Sequence, residues 1–172
     1  MINENGVLVN IDDEGVCRIK LVGEIRYDSS AKGFIEFVNS KLVDKNVRDV
    51  IIDSHACDYI DSTNIGILVQ IAAVQERKGM RKPTLFYSED SKIYDAINDV
   101  NINPFFDVRF CDDTGYQFDN YEPLHKSETT KLEIAKIMYS THKALWDVNE
   151  TNKKKFDLVV DYLKKEVKRN GG

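Results

Sequence analysis

Cysteine, proline and tryptophan are scarce in this chain of 172 residues, which holds three, three and one of them. Cys17, Cys57 and Cys111 are odd in number, widely spaced and without a CxxC pair, so neither a disulfide framework nor a zinc knuckle is expected. Mostly buried, reduced thiols are the expectation. Basic charge is also short: 24 Lys and Arg against 29 Asp and Glu give a net charge of -5, and a phosphate backbone needs clustered cations to displace its counterions. Nucleic acid is therefore not an expected partner. No apolar run approaches the roughly eighteen residues of a spanning helix, and Met1-Ile-Asn-Glu-Asn-Gly has no basic start ahead of an apolar core, so no membrane association is expected and the chain reads as cytoplasmic.

Catalytic signatures are lacking too. The chain has no GxGxxG, GxxxxGK[ST] or GxSxG, which disfavours dinucleotide and nucleoside triphosphate chemistry. His55 and Cys57 sit two apart with no second pair, and His125 and His142 lie far off in the tail, so all four read as structural or incidental, and no metal or cofactor is expected. Asp53, Asp58 and Asp61 could in principle serve as acid, base or Mg²⁺ ligands, but two of them fall in a loop whose solvation alone explains them, and that is the favoured reading. The Lys153-Lys154-Lys155 cluster is the solvated face of a helix. The expectation is a protein that is not an enzyme.

What is present is the composition of a folded domain, 42% hydrophobic and 31% charged with 9 Gly. Val7, Val9 and Ile11, then Cys17, Ile19 and Leu21 after the turn Asp12-Asp13-Glu14-Gly15, predict a β-hairpin. Ala31, Phe34, Ile35, Val38 and Leu42 form a helical stripe capped by Asp28 or Ser29. The unbroken run Val50-Ile51-Ile52 reads as a short central strand, followed by a polar loop from Asp53 to Asp61 in which Cys57 is the more reactive thiol. Ile65, Leu68, Val69 and Ala72 continue as a buried helix ending at Arg77-Lys78-Gly79. A strand at Thr84 to Tyr87, a short helix with Ile93, Ala96, Ile97 and Val100 capped by Ser88 or Asp90, and a strand with Phe106, Val108 and Phe110 complete a β-β-α-β-α-β-α-β order. That order predicts an α/β fold, a mixed and mainly parallel sheet covered by helices.

Residues 1–115 carry 13 Lys and Arg against 20 Asp and Glu, whereas residues 116–172 carry 11 against 9. The shift divides the chain into a domain at 1–115 and a C-terminal helical extension at 116–172. Thr130-Lys-Leu-Glu133 is a capping box ahead of Ile134, Ile137, Met138, Thr141, Leu145 and Val148, and Thr151 would cap a last helix bearing Phe156, Val159, Val160, Leu163 and Val167. The two form a helical hairpin whose apolar stripes must be covered, by the parent domain or by another chain as in a homodimer.

Asp61 as helix cap puts Ser62 and Thr63 in a first turn, where unpaired N–H groups and the positive dipole end favour an anion, although the same residues serve as ordinary caps elsewhere. The stretch Ile60-Asp61-Ser62-Thr63-Asn64-Ile65-Gly66-Ile67-Leu68, with Leu21-Val-Gly-Glu-Ile25, resembles the STAS domains, and among them the stand-alone bacterial anti-sigma factor antagonists. The resemblance covers roughly residues 5–112. It implies a phosphorylation switch in which the unmodified protein binds an anti-sigma factor that is itself a serine kinase, and a serine phosphatase resets it. It places the phosphoacceptor at Ser62, with Thr63 as the alternative, and partner contacts at Asp61, Ser62, Thr63, Asn64, Glu24 and Arg26. Asn64 stands where the family has Gly, and Arg26 where many members have Asp. A STAS signalling module that is not phosphorylated, and binds a small ligand or sister domains, is the alternative.

Overall fold

A computed structural model describes residues 5–112 and 120–171. The hairpin strands β1 (Gly6–Ile11) and β2 (Val16–Ile25) are followed by a helix whose central part is α1 (Lys32–Phe37), flanked by wider π-turn segments at Tyr27–Ala31 and Val38–Leu42. Then come β3 (Asp49–Ile60), α2 (Ser62–Arg77), β4 (Thr84–Tyr87), α3 (Tyr94–Asn98), β5 (Asp107–Phe110), β6 (Glu122–Pro123), α4 (Lys131–Trp146) and α5 (Glu150–Gly171). The order expected through β5 is present, and the protein is an α/β fold with a C-terminal helical pair. The division expected between residues 115 and 116 lies outside the described residues.

The six strands form one sheet in the order β5-β4-β3-β2-β1-β6. β2, β3, β4 and β5 run parallel to their neighbours, while β1 pairs antiparallel with β2 and with β6. β6 is a two-residue edge strand that sequence periodicity cannot register, and its Pro123, which has no N–H to give a ladder, suits that edge. Alternation assigns the core face. Cys17, Ile19, Leu21 and Ile25 of β2, with Val50 and Ile52 of β3, are completely buried in one cluster with Phe34, Val38, Ile67, Leu68 and Ile71 of the helices. Each such Ile or Leu contributes roughly 1.5–3 kcal/mol by leaving water. Ile51, between Val50 and Ile52, is buried on the opposite face and stands outside that cluster, so the apolar run does mark a strand enclosed on both sides.

Two expectations near the centre are corrected. There is no polar loop from Asp53 to Asp61, because β3 continues to Ile60. Its pairing with β2 shifts between Lys20 and Val22 and again between Gly23 and Glu24, and each shift inserts an extra β3 residue that reverses which side chains face the core. Ser54 and Cys57 are both buried as a result, although they are three apart. The helix after β2 begins at Tyr27, with Arg26 at the cap position and no side-chain cap, so neither Asp28 nor Ser29 serves there. Smaller corrections follow the same logic: α3 starts after Ile93 without a capping side chain, its Ala96 is exposed, and Asn149 rather than Thr151 accepts the Asn152 N–H that opens α5. The capping box is present, with Glu133 N donating to Thr130 Oγ1 at 3.1 Å and Thr130 N to Glu133 Oε2 at 2.8 Å.

The hairpin packs on the chain itself. α4 lies against α5 and across α2, and Leu145, Phe156 and Val160 join the main core cluster. Gly66 of α2 is a point of close approach: a Cβ built there would lie 2.4 Å from the Thr141 carbonyl oxygen of α4.

Burial pushes the thiols of Cys17 and Cys57 up to about 12, whereas Cys111 is only half-buried. Native thiol titration is expected to modify Cys111 first, with Cys17 and Cys57 both reacting slowly until denaturant is added. Rapid modification of Cys57 in the native protein would contradict its place in β3.

Candidate functional site

The geometry around Asp61 explains why two helices begin where they do. Its backbone N–H donates to the Ile25 carbonyl at 3.2 Å, which fixes the end of β3 beside the end of β2. Its carboxylate then serves both helix starts. Oδ2 accepts the Tyr27 N–H at 2.5 Å, and Oδ1 accepts the Asn64 N–H and an Asn64 Nδ2 hydrogen, each at 2.9 Å. The expected cap of α2 is therefore present, and the same side chain supplies the cap that Asp28 and Ser29 do not. Asn64 is fully buried, and its Oδ1 has no hydrogen-bond partner.

Ser62 is the first residue of α2, and it does not point into open solvent. Its Oγ lies 2.9 Å from Nε2 of His142 on α4, eighty residues away in sequence. His142 Nδ1 is 2.7 Å from the Met138 carbonyl, an acceptor, so Nδ1 carries the hydrogen and Nε2 receives the Ser62 hydroxyl proton as acceptor. Burial holds the His142 pKa below its ordinary value, against the opposing pull of the Met138 carbonyl and the Asp61 charge. A neutral imidazole is thus matched to a neutral hydroxyl. This contact gives His142 a structural role, with a partner that the sequence did not indicate.

Thr63, the alternative acceptor, is only 2% exposed, whereas Ser62 keeps partial exposure. Glu24 and Arg26 lie at the same end of the sheet, on the rim beyond Asp61. Arg26 Nε donates to Glu24 Oε2 at 3.0 Å, and its guanidinium stacks over the Tyr59 ring at 4.5 Å from the centroid. Tyr27 and Tyr59 are exposed here, and Asp58, which precedes Tyr59 in β3, pairs with Lys92 at 2.5 Å. The six residues expected to contact a partner therefore gather at one end of the sheet, but Thr63 and Asn64 are sealed beneath the surface. Sequence reasoning missed Tyr27, Tyr59 and His142. The tyrosines were legible only as strand-end and helix-start residues, and nothing local could have paired His142 with Ser62.

The other residues considered for chemistry are elsewhere. His55 Nδ1 is 2.7 Å from Asp53 Oδ1, and its Nε2 meets the Cys111 carbonyl. Burial alone would lower its pKa, but those two acceptors outweigh burial and raise it. Cys57 belongs instead to the core cluster, so His55 and Cys57 do not form a ligand pair. No helix among the described residues is long and apolar enough to cross a membrane. No protein-family model matches the chain, and no curated protein matches it significantly.

The two histidines respond oppositely to pH. His142 has a folded pKa below the unfolded value of 6.5, so the stability it contributes is complete above 6.5 and is lost as the pH falls towards its folded value. His55 has a raised folded pKa, so its contribution is complete below 6.5 and is lost as the pH rises from 6.5 through the raised folded pKa. Between about pH 7.5 and about pH 5.5, thermal melts should show His142→Gln losing less stability than the wild type and His55→Gln losing more. At neutral pH, Ser62→Ala should lower stability by about 1 kcal/mol, because a buried ring nitrogen loses its donor.

Proposed function

We propose that the chain is a cytoplasmic, non-enzymatic regulatory module of the STAS type, an anti-sigma factor antagonist whose binding to a serine kinase partner is switched at Ser62. The observation that supports this reading most directly is the position of Ser62 at the start of α2, half-exposed beside a rim of Tyr27, Arg26 and Tyr59. Tyrosine and arginine are the residue types that dominate protein interfaces. In the modification step Ser62 Oγ attacks the terminal phosphorus of a nucleoside triphosphate held by the kinase. The bond from that phosphorus to its bridging oxygen breaks, the diphosphate leaves and the hydroxyl proton passes to a base. The product adds roughly 1.5 to 2 negative charges at neutral pH. That charge joins the Asp61 carboxylate at the cap of the same helix, so a partner shaped for a neutral hydroxyl meets bulk, repulsion and a desolvation cost.

Radiolabelled phosphotransfer from anti-sigma factor serine kinases to the full chain, with mapping of the labelled residue, tests the reading. Label is expected on Ser62 and not on buried Thr63, and Ser62→Ala should take none while still binding the kinase. Ser62→Asp should weaken binding at least ten-fold, about 1.4 kcal/mol. Label on Thr63 alone would overturn the residue assignment. Tight kinase binding without phosphotransfer would favour the unphosphorylated STAS module, and turnover of a small substrate would overturn the non-enzymatic reading.

A further inference from the structure

Hairpin α4–α5 covers the face of α2 that begins at Ser62. His142 holds the Ser62 hydroxyl at 2.9 Å, and one turn further along the Thr141 carbonyl rests on Gly66, where no side chain would fit. Lys32, on the first helix, donates to the Glu128 carbonyl at 2.9 Å and to Glu133 Oε1 at 3.2 Å, tying down the start of α4. At the other end, Asn152 Nδ2 reaches the Val100 carbonyl at 2.8 Å and the Leu145 carbonyl at 3.0 Å. A kinase that reached Ser62 and the first two turns of α2 would have to occupy the space that α4 fills.

We propose that α4–α5 is a removable cover, with the Ser62–His142 hydrogen bond as its latch, and that the face of α2 from Ser62 to Gly66 is the kinase-docking surface it hides. The proposal rests on Ser62 as phosphoacceptor and adds the regulation of that site. Two observations support a separable cover. At Ser62 and Gly66 the contact is made through His142 and Thr141, polar groups against a hydroxyl and a glycine that water can re-solvate at lower cost than a sheet of leucines, while Leu145, Phe156 and Val160 anchor the hairpin to the main core cluster. The hairpin also carries its own helix starts, with a capping box at Thr130 and the Asn149 cap, and α4 packs along α5. Modification of Ser62 Oγ removes the proton that His142 Nε2 accepts and places a phosphate where only 2.9 Å separates the two atoms, so the phosphorylated chain favours the open state.

Hydrogen exchange of the full chain, followed by mass spectrometry of peptides from 131–171 and from β2, β3 and β4, reads the cover without any kinase. In the wild type the hairpin amides should exchange at least about ten-fold faster than the core strands of comparable burial. Ser62→Glu adds bulk and charge at the latch, and Gly66→Ala drives a Cβ into the Thr141 carbonyl. Each should raise hairpin exchange a further ten-fold or more and leave the strands unchanged. Equal exchange of hairpin and strands in the wild type and both variants, or strands accelerating together with the hairpin in both, would overturn the proposal, because the hairpin would then belong to the core unit. A kinase that labels Ser62 should label His142→Ala, which removes the latch from the α4 side and leaves the docking face of α2 intact, at least ten-fold faster than the wild type. An unchanged rate with an opened hairpin would overturn the covering role. Failure of every kinase to label either protein would sink the phosphoacceptor reading, while exchange would still decide whether the hairpin opens.

Discussion

The carboxylate of Asp61 is the constraint on which the candidate site depends. Two strands end beside each other because its N–H meets the Ile25 carbonyl, and two helices start from it because Oδ1 and Oδ2 each take a first-turn N–H. A helix start leaves donors that the helix cannot satisfy, and one bidentate acceptor here serves two of them. The position of Ser62 relative to Arg26, Tyr27 and Tyr59 is fixed by that sharing, since a shift in either helix would break a charge-assisted hydrogen bond. The two register shifts in β3 are part of the same arrangement, because they bring Ile60 back to the core face and deliver Asp61 to the end of β2.

The hairpin adds a second level of constraint by different means. Its contact with α2 includes a close backbone approach, which is why a glycine stands opposite Thr141. Thr141 is itself fully buried, yet its hydroxyl donates within α4 to the Ile137 carbonyl at 2.8 Å, so it brings no unsatisfied donor into the contact. Asn152 does a related task at the far end, where its amide hydrogens satisfy two carbonyls from different elements. Apolar anchoring comes from Leu145, Phe156 and Val160, while Leu158 and Tyr162 on the outer face of α5 remain exposed.

His55 and His142 show how the fold sets protonation from the same starting side chain. Both His55 nitrogens face acceptors, an arrangement that only the doubly protonated ring satisfies, and its pKa is raised accordingly. His142 faces one acceptor and one hydroxyl in a more buried place, which the neutral ring satisfies fully. Neither outcome is written in the residues adjacent to them in the chain.

The sequence by itself determined the features that local periodicity and capping chemistry encode: the alternation of β2, the Val50-Ile51-Ile52 strand, the Asp61 cap of α2, the Thr130 capping box, and the Arg77-Lys78-Gly79 end with Gly79 at φ +69°. It led to an α/β order because each element repeats its apolar residues at its own period. It misread residues 53–60 because two bulges break the period of two that identifies a strand, and a strand without that period looks like a polar loop. It also misplaced the first helix's start, since the cap comes from Asp61, thirty-four residues away from Tyr27. Only the tertiary structure decided that Ser62 meets His142 and that Gly66 meets Thr141, because contacts between distant elements leave no spacing in the chain and arise where two separately formed surfaces come together.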